Sequence, residues 1–198
     1  NIPGSVWAML GIAVAVGIVV GLLISIFLVA PLQVGCYRWY ILNRTSNPPM
    51  GELLNSFRNG YFNTAKIMFC KGLYTTLWSL LFIIPGIIKA YEYSMIPYLL
   101  AENPNMSKQE AFAISKELMD GNKFNAFVLD LSFILWNFVG ALAFGLPGIF
   151  FVNPYVQLTN VELYVKLCQI RAERHNSTYN QDYNQNFNQN DFSGYTQV

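Results

Sequence analysis

The chain has 198 residues, of which 54% are hydrophobic and only 12% charged, with a formal net charge of +1. Soluble domains are typically about 25% charged, so this composition excludes an ordinary soluble globular protein. Near-neutral charge without a Lys/Arg cluster also excludes nucleic acid as a partner.

The charges are unevenly placed. No Asp, Glu, Lys or Arg occurs in residues 1–37, 72–88 or 131–161. A bilayer is crossed by about 20 apolar residues in a helix, whose backbone polar groups are then paired internally. Read in chain order, residues 1–172 form an all-α polytopic transmembrane bundle of about five spans, at 5–34, 62–84, 86–101, 124–146 and 148–169. The first is too long for a signal-peptide core and has no basic segment before it. The third reaches only about 24 Å at 1.5 Å per residue, so it is tilted, shallow or re-entrant.

Two kinds of connection join these spans. Pro85-Gly86 and Pro147-Gly148 are short, uncharged and read as tight turns between packed helices. The longer connections hold the basic residues, among them Arg38, Arg44, Arg58, Lys108, Lys116, Lys123, Arg171 and Arg174. Five crossings bring them all to one face, which the positive-inside rule makes cytoplasmic. The expected location is the cell membrane, with the lipid bilayer as partner and the C-terminal tail in the cytoplasm.

Two amphipathic pieces, 50–58 and 107–120, are expected at the cytoplasmic interface. Ser107 and Glu110 have the spacing of a capping box, and Gly121 follows as a stop. Residues Gly60 to Phe69 and Gly121 to Asp130 begin similar units that lead to the two Pro-Gly pairs, which suggests a parallel internal repeat. The unit before residue 31 looks like half a copy, so a span is expected before Asn1, giving six in an intact family member. From 173 to 198 the chain is rich in Asn, Gln and Tyr and is expected to be a disordered cytoplasmic tail.

Charges at membrane depth are the candidate site. Lys89 and Glu92 are spaced i,i+3 and can pair; Asp130 lies two turns into the fourth span. Together they are candidates for a ligand or ion path, or else join helices. Cys36, Cys70 and Cys168 are scattered, and His175 is the single histidine, so no metal, cofactor or catalytic set is expected.

The run IIPGIIKAYEYSMIPYLLAENPNMSKQEAFAISKELMDGNKFNAFVLDLSFILWNFVGA, Ile83 to Ala141, resembles a bacterial, mostly Gram-positive family of integral membrane proteins known only as domain of unknown function 975. That family is itself distantly similar to the membrane domain of glycerophosphodiester phosphodiesterases. Asp120 stands where the family usually has a basic residue, and Val165 where it often has an acid. The resemblance implies a helical membrane domain with no catalytic part. The expected role is non-enzymatic: a scaffold, an accessory subunit or an envelope-stress or immunity-type component, with another membrane protein or a second copy as partner. The alternative is a small-solute or ion transporter using Lys89, Glu92 and Asp130.

Overall fold

The computed structural model describes residues 4–142 and 153–193, all of whose regular structure is helical. The first helix, α1 (Gly4–Ile24), runs without interruption through a π-helical turn, Ser25–Val29, into α2 (Ala30–Leu42). Pro31 explains the wide turn. Its ring would crowd the carbonyl four residues back, and it has no N–H to offer that carbonyl. The carbonyl is that of Phe27, and the Tyr61 hydroxyl donates to it at 2.7 Å. A group stranded by proline is thus satisfied from another helix.

This is the one helix among the described residues, over Met9–Leu42, that is long and apolar enough to cross a membrane. Its apolar stretch is not buried against the rest of the chain, unlike the core helix of a soluble protein. Valine, leucine and isoleucine side chains are exposed all round it. A helix apolar on every side needs an apolar surrounding.

A 3-10 turn (Met50–Leu54) and the short α3 (Asn55–Arg58) lead to Gly60, whose φ of 65° begins α4 (Tyr61–Leu81). A Cβ here would also lie 2.6 Å from the Pro104 carbonyl oxygen, so only glycine fits. Gly121, at φ 76°, stands in the same way just before α8 (Lys123–Leu142).

The turn expected at Pro85-Gly86 lies three residues earlier. Phe82 is extended, and α5 (Ile83–Glu92) already contains both residues. Pro85 occupies the first turn of the helix, where a missing N–H is harmless. Gly86 is buried, and a Cβ on it would lie 2.5 Å from the Ser79 Cα. Its role is close packing of α4 on α5. Pro147-Gly148 lies outside the described residues.

The segment 86–101, expected as one span, is broken. Helix α5 stops at Glu92, and α6 (Ile96–Glu102) starts after a turn at residues 93–95. Pro97 explains the break, since a continuous helix would drive its ring into the Tyr93 carbonyl. Residues Ile96 to Ala101 are all buried, and Ile96 and Leu100 are fully so. The short α6 is the centre of the core, packed with Val34, Ile67, Met119, Val161 and Tyr164.

Helix α7 (Lys108–Met119) has the expected cap, with Ser107 Oγ accepting from the Glu110 N–H at 3.2 Å. The last described helix is α9 (Asn153–Ser193). The stretch around 171–175 is held, because Arg171 and His175 both reach Glu117, at 2.9 and 2.8 Å.

Candidate functional site

The break after α5 leaves Glu92 on the last turn of a helix, turned into the protein and only 3% exposed. A carboxylate there requires partners. Lys89 lies one turn back on the same face, its Nζ 2.8 Å from Glu92 Oε2. Lys123, opening α8, stands 3.8 Å from the same oxygen, and Lys116 of α7 is 3.9 Å from Oε1. The Ser115 hydroxyl donates to the Glu92 backbone carbonyl at 2.8 Å. The Lys89 ammonium also lies 5.7 Å from the ring centroids of Trp78 and Tyr93. One carboxylate therefore ties α5 to α7 and α8.

Asp130 is not part of this knot. Tyr91 precedes Glu92 and so points about 100° around the helix from it. Its hydroxyl donates to Asp130 Oδ2 at 2.8 Å. Of the three residues grouped from sequence, the structure joins Lys89 with Glu92 and sets Asp130 on another face.

Asp130 instead borders a cavity of about 330 Å³ between α2, α4, α5, α6, α8 and α9. Lys71 of α4 borders it too, together with Tyr37, Thr75, Tyr91 and Tyr98. Lys71 has no carboxylate partner among the described residues. The Thr75 hydroxyl is buried without a hydrogen-bond partner. Tyr37 and Tyr98 pack with ring centroids 4.3 Å apart, and Tyr98 stacks on Tyr164.

A third set of polar contacts clamps the charged ends of the helices. Arg44 makes two hydrogen bonds to the Glu162 carboxylate, at 2.6 and 3.0 Å. Arg38 bridges Glu52 and the Ala101 carbonyl, at 2.8 and 2.9 Å. The Tyr164 hydroxyl donates to Glu102 at 2.6 Å. Burial pushes the Glu117 carboxyl up, but hydrogen bonds from His175 and Arg171 outweigh this and hold it below its ordinary value.

Sequence reasoning paired Lys89 with Glu92 but missed Lys116, Lys123, Ser115 and Lys71. The first three are brought in by chain folding and have no local signature. Lys71 did carry a signal, as a cation that lies with Lys66 inside the segment read as the second span. Among the described residues no group of three or more His, Cys, Asp or Glu could hold a metal, and the three cysteines are free. Ser94 donates its hydroxyl to the Tyr91 carbonyl at 2.7 Å, a bond that caps the end of α5.

Fold and site together define an all-helical protein built on an exposed apolar helix, with a buried carboxylate shared by three lysines and a polar cavity beside it. The sequence profile of the family described as "Protein of unknown function (DUF975)" matches residues 4–171, and the chain belongs to that family. No curated protein and no solved structure matches the chain.

Proposed function

We propose that this chain is a multi-pass integral protein of the cell membrane with a non-enzymatic role, as a scaffold, an accessory subunit or an envelope-stress or immunity-type component. The observation that carries the membrane reading is the unburied apolar surface of α1 and α2, together with the tip of the α4–α5 hairpin, where Leu80 is 84% exposed. Soluble proteins rarely leave so large a contiguous apolar surface in water.

Five spans remain our reading of the topology. The broken α5–α6 segment then crosses as two half-helices, its inner half covered by protein as irregular backbone at membrane depth must be. Gly60 and Gly121, both left-handed and both just ahead of a long helix, support the parallel repeat. The basic connections put the charged helix ends and α9 on the cytoplasmic side.

A non-enzymatic role is supported by how the charged groups are used. Glu92, Glu117, Glu162 and Glu52 are each engaged by a cation, which fits helix-to-helix joints rather than reacting groups. A proton or ion route through Lys89, Glu92 and Asp130 has less support, because among the described residues Asp130 bonds to Tyr91 and makes no ion pair with Lys89. A solute-handling reading would use the cavity that Asp130 borders together with Lys71. Purification from native membranes in mild detergent tests the scaffold reading: it expects a constant co-purifying membrane protein or a homo-oligomer. A solitary protein that moves a solute across liposomes would overturn it.

A further inference from the structure

The cavity between α4 and α8 carries opposite charges. Lys71 brings an ammonium and Asp130 a carboxylate, yet the two are not within ion-pair distance. Asp130 has a hydroxyl donor, Tyr91, but no cation; Lys71 has no anion at all among the described residues. Both side chains are half-buried, and a charge held there without a counter-charge is costly. The Thr75 hydroxyl on the same wall also lacks a partner. An occupant that met all three would resemble the missing ion pair turned inside out.

From this juxtaposition we infer that the cavity binds a small zwitterion, its oxyanion on Lys71 and Thr75 and its ammonium on Asp130. A lone anion would face the Asp130 carboxylate, and a lone cation would face Lys71. A molecule bearing both charges satisfies both walls. The rings of Tyr37, Tyr91 and Tyr98 border the same space and suit a cation, whose attraction to an aromatic face grows where water is scarce. The partly open cavity of about 330 Å³ has room for a free amino-alkyl phosphate or for the headgroup of an aminophospholipid. The inference goes beyond the scaffold reading, which stands or falls on its partner and not on this cavity.

The test uses the full chain purified in detergent, titrated calorimetrically with phosphoethanolamine, ethanolamine and inorganic phosphate. A second arm reconstitutes it in nanodiscs of phosphatidylethanolamine or phosphatidylglycerol and counts retained lipids by native mass spectrometry. Binding of phosphoethanolamine at least tenfold tighter than either half-molecule identifies a soluble zwitterion. Selective retention of one phosphatidylethanolamine, without soluble binding, identifies the headgroup. In the arm that binds, Lys71→Met shifts preference toward the cation-only probe or weakens retention of both lipids, and Asp130→Asn shifts it toward the anion or abolishes selectivity over phosphatidylglycerol. Either outcome in the wild-type protein supports the inference even where a variant does not fold. No selective binding in either arm overturns it, as does unchanged zwitterion affinity in both folded variants.

Discussion

Lys123 Nζ lies 3.8 Å from the carboxylate of Glu92, although it opens a helix where a cation is electrostatically unfavourable. The positive end of the α8 dipole repels it; the buried acid holds it there. Glu92 thereby fixes where α8 enters the bundle.

Replacing Glu92 with Gln should destabilise the protein by about 3 kcal/mol, because Lys89 and Lys123 then face each other without the charge between them. Lys116→Met should cost well under about 1 kcal/mol, since Lys116 is 68% exposed and 3.9 Å away. Denaturation of the two variants in detergent micelles measures the difference. Equal losses would mean that Glu92 acts by packing alone.

Tyr61→Phe removes the donor to the Phe27 carbonyl, which Pro31 leaves without its normal helical partner. The expected loss is about 1–2 kcal/mol. Pro31→Ala restores a backbone N–H at that position, which can reach the Phe27 carbonyl again. In that background the loss on removing the Tyr61 hydroxyl should shrink. A double-mutant cycle by thermal unfolding reads this coupling directly.

At Gly86 a methyl group would meet the Ser79 backbone at 2.5 Å. Gly86→Ala should push α5 off α4 and cost about 2 kcal/mol. Pro85→Ala, in the first turn, should change stability by less than about 1 kcal/mol. Disulfide trapping between cysteines placed across the hairpin should become slower in the first variant and not in the second.

The joint of α7 with α9 should be sensitive to acid. The Glu117 carboxyl is held below its ordinary value of 4.5 in the folded protein. A depressed carboxyl contributes stability that is complete above that ordinary value and is lost as pH falls from there through the lower folded value. The contribution is small, because the pair is partly exposed. Hydrogen-exchange protection factors around residues 171–177, corrected for the intrinsic pH dependence of exchange, should fall on acidification below about pH 4.5, and Glu117→Gln should remove that fall.

Much of the architecture was legible in the sequence because it depends on local pattern. The uncharged N-terminal run became the long apolar helix, and Ser107 became a cap because its side chain needs only the amide three residues on. The turn at Phe82 was misplaced because Pro-Gly is as compatible with a first helical turn as with a loop. The break at 93–95 was legible in principle from Pro97, which forbids a helix through Tyr93. The partition of the charged residues was not legible. Lys89 and Glu92 share a helix face, whereas the distances to Lys116, Lys123 and Asp130 depend on how α7 and α8 dock.

The central claim is that lipid surrounds these helices and that the charged connections share one side of it. Single cysteines at positions 47, 105 and 82, in a chain whose Cys36, Cys70 and Cys168 are replaced by Ser, test it with a membrane-impermeant maleimide. Positions 47 and 105 should react only in inverted vesicles, and position 82 only in intact cells. Reaction of all three from the same side, or of 47 and 105 from opposite sides, would contradict it.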